Sequence, residues 1–233
     1  MALLQPVGES LWLIDGPLVV AYGVPFPTRM VVARLHGGGL WLWSPIRLDD
    51  RVRRAVESLG EPRYVVEPNK LHHLALAEWV AAWPQLRLYA PPGLAKKRRD
   101  LVFASELTDE PPVEWRGQID QIRVEGSFAM TEVLFFHRAS RTCLVGDLIQ
   151  RHDEAEPMKT WPRWATKLGG VLGLTGNTPR DGRLTFLRRE RARDAIGRAR
   201  SWSPQHLVIA HGTCAMEDGA EVFRRSFAWL GRS

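Results

Sequence analysis

Cysteine is scarce in this chain: two residues, Cys143 and Cys214, in 233. Two are too few for a disulfide framework, so a secreted, disulfide-stapled fold is excluded and a reduced, cytoplasmic setting is the simpler expectation. Long apolar runs are missing as well. No stretch approaches the roughly 20 residues that span a bilayer, and Met-Ala-Leu-Leu-Gln-Pro at the start lacks the basic, then apolar, then small-residue pattern of a secretory signal. There is no phosphate loop and no Gly-x-Gly-x-x-Gly after a strand, which removes support for nucleotide-cofactor binding. Internal repeats and low-complexity tracts are absent too.

What is present is the composition of a folded domain: 45% hydrophobic and 25% charged residues. The length suits one large domain with a real core, here taken as 1–233. Ten tryptophans are many, and their large apolar area places several at layer contacts or along a cleft. The net charge is +6, with a pI near 9.8. Seven arginines between Arg183 and Arg200, against Glu190 and Asp194, read as a solvated helix face, because the interleaved aromatics of a nucleic-acid surface are missing. Nucleic acid is therefore not the expected partner.

Short apolar runs bounded by glycine or proline predict strands at Ser10 to Asp15, Arg29 to Leu35 and Gly39 to Trp43. The period then changes: Leu48, Val52, Ala55, Val56 and Leu59 recur at helical spacing, with Asp49 placed to cap the start and Gly60 to end it. A strand at Arg63 to Val66, a helix from about His72 to Trp83 and a strand at Leu86 to Ala90 complete a strand-helix-strand-helix-strand order, the pattern of parallel pairing. Strands follow at Ile119 to Val124, Glu132 to His137 and Thr142 to Asp147. The segment from Arg151 to Arg183 has no clear period and reads as an insertion with short helices around Trp161 to Leu172. An arginine-rich helix over roughly Leu184 to Trp202, a strand at His206 to His211 and a helix at Glu217 to Leu230 close the chain.

Chemistry-bearing residues gather at strand ends, where α/β sheets place ligands. His72 and His73 follow a buried strand and open a helix; Asp147 and His211 each end a strand before or after glycine. Glu132 enters by register. If Arg138 to Arg141 is a hairpin turn, His137 lies opposite Thr142, and counting back sets Glu132 opposite Asp147, with His137 about 15 Å away along the strand. Facing carboxylates need a cation, a shared proton or solvation. Each group has a plainer role: helix cap, Asx turn or packed imidazole. Together, three strand ends offer donors suited to zinc, iron or manganese. Cys214, three residues after His211, is either a soft ligand or a small buried side chain.

This order of features resembles the metallo-β-lactamase superfamily. Leu40 to Trp43, Asp49 to Leu59 and Arg63 to Val66 lead into Pro68 to His73 as that family's strand, helix and strand lead into its histidine loop. Gly146-Asp147 and His211 are similar to its later strand-end aspartate and histidine. More narrowly, Asn69-Lys70-Leu71-His72-His73, the Glu132 to His137 strand and Ser140-Arg141-Thr142 resemble the uncharacterised DUF4336 group of that fold. The resemblance implies an α/β fold of the αββα sandwich type, two mixed sheets with helices outside. It implies a metal-dependent hydrolase acting on a small-molecule substrate. The departures are Asn69, Leu71 and Leu74, where the family motif has histidines, and His73, where it has aspartate. Ser127 lies in a loop that carries histidine in the family, and Ser44-Pro45-Ile46 replaces Asp-Thr-Gly. The expected site is thus a degenerate one: either no metal, or a single divalent ion held by His73 or His72 with Asp147 and His211, Glu132 nearby and Asp147 as orienting base. The alternative on the same fold is a non-catalytic binding or scaffold protein.

Overall fold

Every residue of Gly39–Trp43 is buried, a pattern that requires cover on both faces of the strand. In the computed structural model of the protein, which describes residues 3–21, 24–152 and 173–231, this strand lies in the middle of a large sheet. In chain order the first strands are β1 (Gln5–Gly8), β2 (Leu11–Asp15), β3 (Val19–Ala21), β4 (Val24–Phe26), β5 (Arg29–Arg34), β6 (Gly39–Trp43), β7 (Glu61–Val66), β8 (Arg87–Ala90) and β9 (Phe103–Glu106). Seven of them form one mixed sheet in the order β1-β2-β5-β6-β7-β8-β9, while β3 and β4 pair separately. Strands β6 to β9 run parallel and the rest of that sheet antiparallel.

The second sheet is built from β10 (Ile119–Val124), β11 (Glu132–His137), β12 (Thr142–Val145) and β15 (His206–Ile209), in that order. Its first two pairs are antiparallel and β12 runs parallel to β15. Strands β13 (Gln150–His152) and β14 (Gly173–Asn177) form a small pair of their own.

Three apolar clusters define the layers. Trp41, Trp43, Trp115, Phe135, Leu144 and Val208 fill the space between the two sheets. Trp41 meets Trp115 and Phe135 edge-on at 6.2 and 5.3 Å. Truncating a side chain of this size in such a layer costs about 3–5 kcal/mol. On the outer face of the first sheet, Leu40 and Leu42 pack under Val52 and Val56 of the helix Asp50–Glu57 and Trp79 of the helix Leu76–Ala82. On the outer face of the second, Leu134 and Cys143 pack under Ala195 and Ile196 of the helix Arg189–Arg200 and Phe223 of the helix Gly219–Ser226. The result is helix, sheet, sheet, helix, the αββα sandwich that the strand order implies.

Several boundaries differ from the sequence expectation for local reasons. Asp49 caps its helix as expected, its Oδ1 accepting from Arg51 and Val52. The second helix starts at Leu76 rather than His72, because Asn69 Oδ1 takes the Leu71 amide in a turn and Arg98 takes the His73 carbonyl. Strand β12 stops at Val145, since the amides of Gly146 and Asp147 turn toward Glu132. The arginine-rich helix begins at Arg189 rather than Leu184, and Phe186 instead bridges to Ser127. The short strands β1 and β9 have no sequence counterpart. The helices expected around Trp161 to Leu172 lie outside the described residues. Among the described residues no helix is long and apolar enough to cross a membrane.

Candidate metal centre

The register of β11 and β12 pairs His137 with Thr142 and Phe135 with Leu144, which sets Glu132 opposite Asp147. Glu132 is buried, and the strand end wraps around it. The amides of Gly146 and Asp147 donate to Oε1 and Oε2 at 2.9 and 2.7 Å, and that of Leu148 approaches both oxygens. Gly146 suits this close approach, because a Cβ would stand 3.0 Å from Glu132 Oε2 and from Pro68. Asn69, fully buried, completes the arrangement: its Nδ2 donates to Glu132 Oε2 at 3.0 Å and to Asp147 Oδ2 at 2.8 Å. Burial first, and the Asp147 charge second, push the Glu132 carboxyl up to about 8, against the N–H donors that favour its ionised form.

Asp147 in turn faces two imidazoles. His72 Nε2 lies 3.3 Å from Asp147 Oδ2, and His211 Nε2 lies 3.2 Å from Oδ1. The two rings sit 5.1 Å apart. Burial alone would raise the Asp147 carboxyl, but both imidazoles outweigh it and hold the group well below the usual carboxylate range. His211 is shifted the other way: burial lowers it, and the Asp147 partner more than offsets that and raises it.

The far side of each ring is anchored. His211 Nδ1 lies 2.7 Å from the Pro27 carbonyl, which can only accept, so Nδ1 carries the proton and Nε2 holds the ring's lone pair when the ring is neutral. His72 Nδ1 is 2.7 Å from Ser44 Oγ. Ser44 ends β6 in a left-handed conformation, φ 51°, and its own amide donates to Val66. A non-glycine residue held there stores strain, and the contact with His72 gives that strain a use.

Donor atoms of His72, Asp147 and His211 all lie within 4.8 Å of one another. Ligands 2.0–2.1 Å from a tetrahedral ion stand about 3.3 Å apart, close to the two nitrogen–oxygen separations found. His72 Nε2 is buried, and its neighbour Asp147 Oδ2 at 3.3 Å is at a distance long for a charge-assisted hydrogen bond. Two imidazoles anchored on their far sides and converging on an ionised carboxylate fit a divalent cation.

The remaining candidates stand outside the converging donors, Glu132 beside Asp147 and His137 at the turn end as the register predicts. His73 does not join the group: its carbonyl accepts from Arg98 Nη1, and its Nδ1 lies 3.5 Å from the same nitrogen, so its ring sits beside a fixed cation. Burial, then Lys97 and Arg98, push its pKa down. Glu132 also stays outside, its oxygens spent on backbone amides and Asn69. His137 lies at the turn end, with Nδ1 2.8 Å from Ser140 Oγ. Cys214 Sγ is 3.1 Å from Arg29 Nη1 and its thiol is raised by burial, so it reads as a packed side chain. Ser44 and the Pro27 carbonyl were missed. Ser44 directly follows a fully buried strand, and the strand-end rule that marks Asp147 and His211 applies to it equally.

The three donors open into a cleft of about 480 Å³, which Ile46, Arg47, Leu71, His73, Leu74 and Lys97 also line. That volume suits a small molecule.

A family model described as "Domain of unknown function (DUF4336)" matches residues 8–160. No curated protein matches the sequence. The fold is similar to that of solved metallo-β-lactamases. The enzyme from Hirschia baltica superposes with TM-score 0.65 at 14% identity, over 99% of this chain and 97% of that one. The DIM-1 metallo-β-lactamase exposed to ceftazidime gives 0.63 at 15%, over 96% and 94%. FIM-1 from Pseudomonas aeruginosa, solved in its mono-zinc form, gives 0.63 at 10%, over 97% and 93%. At such identities the likeness speaks for the fold.

Proposed function

Because the chain belongs to the DUF4336 family and has the metallo-β-lactamase fold, we propose that His72, Asp147 and His211 hold one divalent metal and that the protein is a metal-dependent hydrolase of a small molecule. The observation that carries this reading is the convergence of His72, Asp147 and His211, whose donor atoms all lie within 4.8 Å of one another. Two imidazoles and a carboxylate suit zinc, iron or manganese. Three protein ligands leave a coordination position open, and an ion there supplies Lewis acidity and a nucleophile at neutral pH.

The chain's own groups do the rest. The Pro27 carbonyl and Ser44 hydroxyl fix the two rings, so the donor atoms are in place before anything binds. Asp147, kept ionised, would be a ligand and would orient a water by accepting a hydrogen bond from it. Glu132 and Asn69 hold the Asp147 main chain and carboxylate. The two free thiols, Cys143 and Cys214, suit a reduced compartment, and we place the protein in the cytoplasm.

A second reading has its own observation. Asn69 Nδ2 already satisfies Asp147 Oδ2 at 2.8 Å, so the cluster could serve as a closed polar network in a non-catalytic binding or scaffold protein. Metal analysis of tag-free protein, with melting temperature followed on adding Zn²⁺ or Mn²⁺, separates the two. One ion per chain and a raised melting temperature support the metal centre. Substoichiometric metal and an unchanged melting temperature decide for the network.

A further inference from the structure

The three candidate donors line the cleft, and the rest of its lining has a composition of its own. Leu71 and Leu74 flank the histidine pair in sequence, both line the cleft, and they are 39% and 62% exposed. One exposed leucine needs no explanation. Two on a single loop, inside a concavity that Val19 and Ile46 also line, make an apolar wall facing solvent. These are two of the positions at which the sequence departs from the metal-binding motif, so part of the space next to the remaining donors is bounded by hydrocarbon.

The cleft also carries two exposed cations that stand outside any ion pair. Arg47 and Lys97 are exposed on its lining, and neither has an acidic partner among the described residues; Lys97 Nζ donates to the Lys70 carbonyl at 3.2 Å. The third cation, Arg29, is committed to Asp15 at 2.8 Å and to the carbonyls of Ile209 and Gly212. Of the lining acids, Glu78 keeps its charge and accepts from the Leu48 amide at 2.8 Å, and Asp147 faces the two imidazoles; neither is ion-paired with Arg47 or Lys97. Arg47 and Lys97 therefore offer donors outside any ion pair in a cleft that also has an apolar wall.

We propose that this cleft selects a substrate carrying both an apolar group, which packs on Leu71 and Leu74, and an anionic group, which is held by Arg47 and Lys97. The inference rests on the cleft being the substrate site, and it deepens the hydrolase reading by naming the substrate class: a small anionic amphiphile rather than a sugar or a cationic peptide. The apolar part gains by leaving water. The anion gains charge-assisted hydrogen bonds whose donors are not already satisfied by protein carboxylates.

Binding can be read without any metal. Full-length protein in excess chelator is titrated with 8-anilino-1-naphthalenesulfonate, which is anionic and apolar, and with its neutral analogue N-phenyl-1-naphthylamine, following fluorescence. The paired variant Arg47→Glu/Lys97→Glu should weaken the anionic probe by about tenfold or more, the scale of losing charge-assisted contacts, and leave the neutral probe within about twofold. The paired variant Leu71→Asn/Leu74→Asn should weaken both probes. All four side chains are exposed, so the variants are expected to fold, and melting temperature checks this. Equal weakening of the two probes by the charge-reversed variant overturns the proposal, as does binding that survives both paired variants, which places the probes elsewhere. Metal stoichiometry is measured separately. Probe discrimination in a protein that takes up no metal sustains this inference while the metal reading fails, and one ion per chain without discrimination does the reverse.

Discussion

Glu132 Oε2 accepts a 2.7 Å hydrogen bond from the backbone N–H of Asp147. The carboxylate that faces Asp147 across the paired strands therefore holds its main chain and leaves its side chain to the two imidazoles. This division of labour explains how two acids share one strand end. One is buried and wrapped in amides; the other is the group with donors converging on it.

Asn69 links the two acids, and its replacement should reveal their tension. Asn69→Ala removes donors to both carboxylates and should cost roughly 1–3 kcal/mol, the scale of leaving buried polar groups unsatisfied. Asn69→Asp exchanges the donor for a third acid against the other two and should cost more than Asn69→Ala. Urea unfolding of the two variants in chelator at neutral pH checks the order; an Asp variant as stable as the Ala variant would refute the repulsion.

His137 gives the pH dependence of the fold, away from the site. Burial, and to a lesser extent His36, push its pKa down to about 4. In the unfolded chain an imidazole titrates near 6.5. The unfolded state therefore takes up the proton first, and the contribution to stability is complete above about 6.5 and lost as pH falls toward 4, on the order of 3 kcal/mol over that window. His137→Asn removes the titration. Denaturant midpoints measured from pH 4 to 7 should show a flatter slope for the variant than for the wild-type protein.

Much of this architecture was legible in the sequence because local signals and global packing agree. The capped helix after Asp49, the all-apolar Gly39–Trp43 strand and the Arg138–Arg141 hairpin each carry their cause in adjacent residues, and the hairpin register placed Glu132 correctly against Asp147. The choice between His72 and His73 was not legible. Adjacent residues point in different directions, and the decision rests on Arg98, 25 positions away, which binds the His73 carbonyl. The anchors of the site were likewise distant: the Pro27 carbonyl contacts His211 across 184 positions of sequence. Strands β1 and β9 are short and partly exposed, so they carry almost no apolar pattern to read.

The helix Arg189–Arg200 should tolerate change on its outer face and not on its inner one. Arg198 pairs with Asp109 at 2.7 Å but is 55% exposed, so Arg198→Ala should cost under about 1 kcal/mol. Ala195 is buried against the second sheet, and Ala195→Asp should cost about 3 kcal/mol or more by placing a charge in an apolar layer. The same solvated face predicts weak nucleic-acid binding. Submicromolar, steeply salt-dependent affinity for DNA or RNA, lost on reversing these arginines, would overturn that view.

The ligand set gives the sharpest separation between neighbours in sequence. His72→Ala, Asp147→Ala and His211→Ala each remove one of three donors, and an ion held by the remaining two competes poorly with its own hydration. Each variant should therefore lose the metal, with affinity reduced at least about a hundredfold, well beyond what loss of an outer hydrogen-bonding partner produces. Ser44→Ala removes such a partner, the hydroxyl 2.7 Å from His72 Nδ1, and should weaken binding by about ten- to a hundredfold while one ion per chain is still reached at saturation. His73→Ala should leave affinity nearly unchanged, because the ring lies beside Arg98, outside the converging donors. His137→Ala, at the far end of the strand, should do the same. Calorimetric Zn²⁺ titration of the six variants provides the check. Retained binding in His72→Ala together with loss in His73→Ala would show that the wrong imidazole has been assigned, and unchanged affinity in Asp147→Ala would place the ion elsewhere.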